Sequence, residues 1–144
     1  MIFNWVLIKK LAVGTAPRNK EDMIKLSQNN IISILSLCSE EEVKPPEDIE
    51  LKFNCKRIIL PDHSYGRNPT VEELEKTLFL LKELLENPPV FVHCVASIER
   101  SPLVCLGWLV KYNRLNPQEA MQYLMDIHPS TNPLPGQFNL LSKI

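Results

Sequence analysis

Two residues with complementary chemistry, Cys94 and Arg100, stand on either side of a five-residue stretch. The pairing alone means little, because a chain with four cysteines produces such a match by chance in roughly one case in five. The residues around Cys94 and Arg100 make the pairing more specific. Cys94 follows the apolar run 90–92, which is typical of a buried strand, and a helix is predicted to begin at about Arg100. The cysteine therefore lies at the carboxyl end of a strand, where open α/β sheets bind ligands.

A loop between a strand and a helix can create a region of positive electrostatic potential. Its amides and the first free amides of the helix converge on one point, and the helix dipole adds partial positive charge there. A phosphate dianion fits that point, and the planar guanidinium of Arg100 can bind two of its oxygens. The same field favours the thiolate form of Cys94 at neutral pH. The segment thus predicts a phosphate site with a sulfur nucleophile beneath it.

Three further side chains fit this chemistry. Ser101 can donate a hydrogen bond to the sulfur and ease its departure, and His93 is expected to orient the loop rather than to transfer protons. Asp62, in a loop just after a predicted strand, can protonate the leaving oxygen and later activate water. A lone aspartate after a proline more often caps a turn. Beside the cysteine loop, however, we interpret Asp62 as the acid.

Strands and helices alternate along most of the chain, followed by a run of helices. The predicted strands are residues 11–14, 31–37, 51–60 and 90–92, and the predicted helices are 19–29, 71–86, 101–112, one beginning at 117, and 137–142. Thr70 and Glu73 form a capping box for the second helix, and Asn116 caps the fourth. The pattern predicts an α/β fold with a central, mostly parallel sheet of about four to five strands flanked by helices.

Composition indicates an ordinary globular protein. The chain has 144 residues with a formal net charge of -1, so we expect one domain, residues 1–144. Without an excess of basic residues no nucleic acid partner is expected. The longest apolar run, 103–110, is far shorter than the ~20 residues that span a bilayer, and the N-terminal lysines follow the apolar residues, unlike those of a signal peptide. We expect a cytoplasmic monomer that does not bind membranes.

The four cysteines are widely scattered. They are Cys38, Cys55, Cys94 and Cys105, and none forms a CxxC pair. Neither a disulfide framework nor a zinc site is indicated, so we expect no metal and no cofactor.

The run His93-Cys94-x5-Arg100-Ser101, with Leu60-Pro61-Asp62 upstream, resembles the dual-specificity phosphatase branch of the cysteine phosphatases. The likeness extends over most of the chain, including a closing helix around Pro135 to Phe138. It implies the cysteine phosphatase fold, a phosphocysteine intermediate and the roles given above to Cys94, Arg100, Asp62 and Ser101. It also implies a phosphate cradle made of the main-chain amides of Val95, Ala96, Ser97, Ile98, Glu99 and Arg100.

Two residues depart from the family pattern. Ser97 stands where the family usually has glycine, so we expect a tighter or strained loop. Glu99 lies inside the loop and should repel very acidic substrates unless it turns away to bind an arginine or main-chain groups. Phosphoinositide-specific members have lysine-rich loops, and this loop has no lysine, which disfavours a phosphoinositide substrate.

The expected substrates are phosphotyrosine and phosphoserine or phosphothreonine in a phosphorylated protein or peptide. Two alternatives stay open: the same chemistry on a nucleotide, an RNA 5′ end, a sugar or a glucan phosphate, and a module that binds phosphate without turnover. Related enzymes protect their nucleophile by a disulfide to a cysteine placed like Cys38. The resemblance therefore raises the hypothesis of a Cys38–Cys94 bond.

Overall fold

Five strands form one mixed sheet in the computed structural model, which describes all residues, Met1–Ile144. The strands are β1 (Phe3–Leu7), β2 (Leu11–Gly14), β3 (Ser33–Ser36), β4 (Asn54–Arg57) and β5 (Val90–His93). Their order across the sheet is β1-β2-β5-β3-β4, with β1 antiparallel to β2 and all other pairs parallel. The predicted fold class is confirmed.

The helices cover both faces of this sheet. They are α1 (Lys20–Gln28), α2 (Ile49–Lys52), α3 (Val71–Leu84), α4 (Arg100–Lys111), α5 (Pro117–Ile127) and α6 (Pro135–Phe138), with short 3₁₀ helices at His63–Tyr65 and Asn139–Lys143. None of the helices combines the length and the hydropathy that crossing a membrane requires.

The central strand β5 sends its side chains alternately into two cores. Val90 and Val92 lie in a core of 22 buried residues built with α3, α4 and α5, whereas Phe91 lies in a smaller core of 8 with Met23 of α1 and Ile49 of α2. This alternation follows from the period of two along a strand. Because β5 is buried on both faces, the residue that follows it is fixed in position by the whole sheet.

Parallel pairing brings the ends of three strands to one rim. Gly14 of β2 and Ser36 of β3 both lie opposite His93, the last residue of β5. The chain segments that follow these strands therefore start side by side, and Cys94 begins the middle one.

Several helix boundaries follow the sequence prediction. Asn19 accepts a hydrogen bond from Asp22 N–H at the start of α1, and the predicted capping box of Thr70 and Glu73 has both of its hydrogen bonds. Asn116 caps α5 in the same way. These ends are set by residues three positions apart in the sequence, which is why local reasoning found them.

Sequence reasoning missed one strand and made another too long. Strand β1 was not predicted, because its hairpin turns at Lys9 with φ 61° instead of at a glycine and so lacks the usual turn signal. The strand predicted for residues 51–60 is shorter, Asn54–Arg57, because Leu51 belongs to the short helix α2, where it is exposed. Alternating apolar residues at positions 51, 53 and 55 had suggested one continuous strand.

Replacing Gly14 with alanine should destabilise the protein by about 2–3 kcal/mol. An added Cβ would lie 2.0 Å from the carbonyl oxygen of Ile2, so the backbone must move beside His93. We expect urea unfolding to show this loss. Gly107→Ala is the matched control, because its Cβ meets only side-chain ends, Leu78 Cδ1 at 3.1 Å and Ile144 Cδ1 at 3.5 Å, and alanine gains about 1 kcal/mol of helix propensity. Equal losses in the two variants would contradict the prediction.

Candidate active site

The loop between β5 and α4, residues 94–100, leaves a set of main-chain donors unused. None of the amide N–H groups of residues 95–100 donates a hydrogen bond within the protein. Main-chain amides usually find a partner within the protein or in solvent. Six successive donors without a partner inside the protein are available to an anion, which is the role that the sequence predicted for them.

The carbonyl groups of the same loop are held from outside. The donor and acceptor pairs are Ala16 N–H to the Val95 carbonyl (N···O 3.2 Å), Ser130 Oγ–H to the Ser97 carbonyl (2.8 Å) and Asn132 N–H to the Ile98 carbonyl (2.9 Å). In a planar trans peptide the carbonyl and the next amide point in opposite directions. Fixing these carbonyls outward therefore turns the amides of Ala96, Ile98 and Glu99 the other way.

Cys94 begins this loop and is 3% exposed. Its sulfur lies 3.3 Å from the hydroxyl oxygen of Ser101 and 3.5 Å from the Ser101 amide nitrogen. The hydroxyl and the amide of one residue at the start of α4 thus reach the same sulfur. The geometry suits the hydrogen bond that the sequence assigned to Ser101.

The guanidinium of Arg100 is buried and is fixed along one edge. Glu42 binds it with both carboxylate oxygens, Nη2–Oε1 at 2.8 Å and Nη1–Oε2 at 3.2 Å, and Nη1 also donates to the Leu60 carbonyl at 3.1 Å. The hydrogen bond to Arg100 is also the main reason that the pKa of Glu42 is lowered. The Arg100 Nε has no acceptor and is not sealed from solvent. The edge formed by Nε and Nη2 is therefore open to an anion.

Asp62 lies at the same rim, in the loop that follows β4. Its Oδ2 is 3.6 Å from Nη2 of Arg100, and its Oδ1 accepts hydrogen bonds from the amide (2.9 Å) and the hydroxyl (2.6 Å) of Ser64. Burial alone would raise the pKa of Asp62, but the Ser64 bonds, with Arg100 and His63 nearby, hold it below its ordinary value. Without a bound anion Asp62 is therefore a carboxylate. Asp62 also caps the turn at Ser64, which is the alternative role that the sequence suggested for this residue.

His93 is buried behind the loop and faces away from solvent. Its Nδ1 lies 2.9 Å from the Cys94 carbonyl, which can only accept, so Nδ1 carries the proton and Nε2 accepts from Ser36 Oγ at 2.7 Å. Burial lowers the pKa of His93 to about 4. A neutral imidazole with both nitrogens bonded fits the predicted orienting role.

Ser97 adopts a left-handed backbone conformation, with φ 58°. This conformation costs a non-glycine residue about 1 kcal/mol or more. The hydroxyl compensates, because it lies 2.9 Å from both Ser101 Oγ and His128 Nε2. The strain expected from the missing glycine is therefore present, and a buried hydrogen-bond chain from His128 to the sulfur goes with it.

Glu99 turns away from the anion site, as the sequence analysis allowed. Its carboxylate accepts from the main-chain amide of His63 (3.1 Å), from His63 Nδ1 (2.5 Å) and from Gln137 Nε2 (3.0 Å). The side chain is mostly buried. Its charge is thus engaged with the Asp62 loop and with α6.

These residues surround a cavity of about 370 Å³. The lining residues are Glu42, Asp62, His63, Cys94, Val95, Ala96, Ile98, Glu99 and Arg100. The lining thus includes the predicted loop residues Val95, Ala96, Ile98, Glu99 and Arg100 together with Cys94 and Asp62. Ser97 is buried and does not line the cavity. A sulfur at the base, amides around it and a carboxylate at the rim can transfer a phosphoryl group.

The remaining thiols stay apart from this arrangement. Cys38 and Cys94 are free in the structure, so the hypothetical disulfide between them is absent here. Burial raises the pKa of Cys38 and raises that of Cys105 beyond the range of aqueous thiols. Both are therefore kept in the protonated, unreactive form.

Sequence reasoning missed two residues of this site. Glu42 belongs to the acidic segment 40–42, and nothing local distinguishes it from its neighbours until folding brings it to Arg100. His128 ends α5, and its sequence position suggests no more than that, but it is fully buried and donates from Nε2 to the Ser97 carbonyl at 2.9 Å. Both contacts join residues more than thirty positions apart.

The free energy of unfolding should fall by about 3 kcal/mol as the pH drops from 6.5 to 4 through His93 alone. Its pKa is about 4 in the folded protein and near 6.5 in an unfolded chain. The unfolded state therefore binds more protons in that window, and stability present above pH 6.5 is lost on acidification. Urea titrations of wild type and His93→Asn across this range measure the effect. If the difference in unfolding free energy between wild type and His93→Asn does not narrow as the pH falls, the prediction is contradicted.

Comparisons with known proteins agree with this geometry. The dual specificity phosphatase catalytic domain model matches residues 13–143. Human dual specificity protein phosphatase 8 is 31% identical over 120 residues, 83% of this chain and 18% of that protein. Phosphatidylglycerophosphate phosphatase PTPMT2 of Arabidopsis thaliana is 23% identical over 128 residues, 88% of this chain and 56% of that protein. The chain thus spans less than two thirds of these curated relatives.

The fold itself is shared with solved structures. The active form of Tk-PTP superimposes with a TM-score of 0.83 at 19% identity, over 98% of this chain and 94% of that one. The family model covers nearly the whole chain and includes the cysteine loop. This chain therefore belongs to the dual specificity phosphatase family of cysteine-based phosphatases.

Proposed function

We propose that this protein hydrolyses phosphomonoesters in two steps through a phosphocysteine intermediate. The observation that carries the proposal is the row of six unpaired amides, residues 95–100, next to the sulfur of Cys94 and the guanidinium of Arg100. Donors fixed before the substrate arrives stabilise the transferring phosphoryl group without reorganisation. No metal or cofactor takes part in the proposed reaction.

In the first step the Cys94 thiolate attacks phosphorus. A sulfur–phosphorus bond forms, the ester P–O bond breaks, and the leaving oxygen takes a proton from Asp62. The acid must therefore be protonated when the substrate is bound. A phosphate dianion close to Asp62 raises the pKa of that carboxyl by charge repulsion and also competes for Arg100, one of the groups that lower this pKa in the free protein.

In the second step water attacks the phosphocysteine. Asp62, now a carboxylate, removes a proton from the water, the new oxygen–phosphorus bond forms and the sulfur–phosphorus bond breaks. The departing thiolate is met by the hydroxyl and the amide of Ser101, at 3.3 and 3.5 Å from the sulfur. Inorganic phosphate is released and the free thiolate is restored.

Glu42 prepares Arg100 for both steps. It occupies the Nη1–Nη2 edge of the guanidinium and leaves the Nε–Nη2 edge for two phosphate oxygens. A side chain fixed in this way loses little conformational entropy when the anion binds. We assign Glu42 a positioning role and Arg100 direct contact with the phosphate.

The proposed substrates are phosphorylated tyrosine, serine or threonine side chains in proteins. Three acidic residues line the cavity, Glu42, Asp62 and Glu99, against the single guanidinium of Arg100 and the imidazole of His63. The Glu99 carboxylate is already engaged by His63 and Gln137. Such a lining suits a substrate with one phosphate and no further negative charge. The side chains of Val95 and Ile98 add an apolar wall that a substrate side chain can contact.

A lipid phosphate is the second candidate, because three relatives are named phosphatidylglycerophosphate phosphatase or phosphatidylglycerophosphatase. That lipid carries a second phosphate on the same headgroup. The loop offers no lysine or arginine besides Arg100 to balance it, which favours the protein substrate. The relative rates on the two substrates decide between them.

Wild-type protein should release phosphate from p-nitrophenyl phosphate and from phosphotyrosine and phosphothreonine peptides, and Cys94→Ser should release none, because a hydroxyl in place of the thiolate is a poor nucleophile. We expect phosphatidylglycerophosphate in vesicles to react at least about 10-fold more slowly than the peptides, a penalty of about 1.4 kcal/mol for the second phosphate. A phosphate-release assay measures the rates on all four substrates: p-nitrophenyl phosphate, the two phosphopeptides and the lipid.

Three results would contradict this. Activity retained in the Cys94→Ser variant would remove the cysteine mechanism. Wild-type protein that binds phosphopeptides without releasing phosphate would be a binding module. Faster turnover of the lipid than of the peptides would favour the second candidate.

Asp62→Asn should lower kcat/KM about 100-fold for a phosphothreonine peptide and about 10-fold or less for p-nitrophenyl phosphate. The alkoxide of threonine needs a proton to leave, whereas nitrophenolate leaves without one. Initial rates on the two substrates test this, with Asp126→Asn on the surface of α5 as the control. Equal losses on both substrates would show that Asp62 is not the acid.

A further inference from the structure

Glu99 stands at the N-terminus of α4 but does not cap that helix. A side chain in this position usually accepts from the free amides of its own first turn. Here the carboxylate instead reaches across to the loop that holds Asp62, where both of its oxygens accept from His63. A helix-capping bond has thus been exchanged for a contact between two loops.

The contact fixes the main chain directly beside Asp62. Glu99 Oε1 accepts from the amide of His63, 3.1 Å away, and this amide belongs to the peptide bond that joins Asp62 to His63. Glu99 Oε2 lies 2.5 Å from His63 Nδ1, which must carry the proton because a carboxylate only accepts. Two bonds in parallel therefore hold one residue and restrict rotation of the Asp62 backbone.

A third bond anchors the carboxylate itself. Gln137, which is 1% exposed, donates from Nε2 to Glu99 Oε1 at 3.0 Å, and its own Oε1 accepts from the Leu134 amide at 2.8 Å. Glu99 is thus held from α6 as well as from the Asp62 loop. This arrangement is more than an exposed surface ion pair, whose partners are free to separate.

We propose that Glu99 is a positioning residue that joins the cysteine loop to the Asp62 loop and sets Asp62 above Cys94 before substrate binds. The inference rests on the proposed function, since it concerns the acid of that reaction. Loss of the contact frees the Asp62 loop, and a displacement of about 1 Å in a catalytic group can cost up to 100-fold in rate. Replacing His63 should change folding stability little, because its side chain is 67% exposed and surface substitutions usually have small effects.

The test compares two uncharged replacements of His63. The amide nitrogen of asparagine can occupy the place of Nδ1 and still donate to Glu99, whereas leucine has a similar shape and no donor. We expect His63→Leu to lower kcat/KM about 10-fold for a phosphothreonine peptide and less than about 3-fold for p-nitrophenyl phosphate. His63→Asn should stay within about 2-fold of wild type on both. Melting temperatures verify that both variants are folded.

A double-mutant cycle with Glu99→Ala completes the experiment. Glu99→Ala removes both bonds to His63, so its loss on the phosphothreonine peptide should be at least that of His63→Leu, and the double variant should lose no more than Glu99→Ala alone. Losses that multiply would show that the two residues act independently and would overturn the proposal.

Other outcomes also decide the matter. A loss in His63→Asn equal to that in His63→Leu, an increase in KM alone, or equal losses on both substrates would mean that His63 contacts substrate or only supports the fold. Each of these three results overturns the positioning role, while turnover by the wild-type protein still supports the proposed function. A wild-type protein without Cys94-dependent turnover would overturn both.

Discussion

A cluster of amide donors that find no acceptor inside the protein is the constraint on which the site depends. Such a loop is unfavourable unless its shape is imposed from outside, because each amide would otherwise turn toward the nearest carbonyl. Three residues from two other parts of the chain impose this shape: Ala16 after β2, and Ser130 and Asn132 after α5. Each of them holds one carbonyl outward. The sheet therefore supplies the position of the loop, and the segment after α5 supplies its orientation.

The departure from glycine at position 97 shows how this orientation is maintained. Ser97 bears the cost of a left-handed φ, yet its carbonyl and hydroxyl both meet His128 Nε2 at 2.9 Å, and the hydroxyl also reaches Ser101. On its other side His128 accepts from Asn4 Nδ2 at 2.8 Å. Strand β1 is thereby connected to the cysteine loop through buried polar groups. A glycine at this position would relieve the backbone but would leave His128 and Ser101 short of one partner.

What the sequence predicted correctly depended on contacts that are short in sequence. The strand–loop–helix unit, the order of Cys94 and Arg100, and the helix caps are all set by residues within about ten positions, and the parallel sheet follows from alternating elements. What it did not predict depended on long-range contacts. Strand β1 pairs through a turn at Lys9 that lacks glycine, and Glu42 is one of three consecutive glutamates until the fold selects it. Local sequence patterns do not show which residues such long-range contacts will involve.

The charges around the cavity follow one consistent logic. Glu42 neutralises Arg100 while the site holds no anion, which keeps a buried cation from being unpaired, and it does so on the edge that a phosphate does not need. Glu99 has its charge satisfied by His63 and Gln137, outside the anion position. Asp62, at the rim, is the carboxylate whose pKa a bound dianion is expected to raise. A proton is then favoured on Asp62 only while substrate is bound, which is when the proposed leaving group requires it.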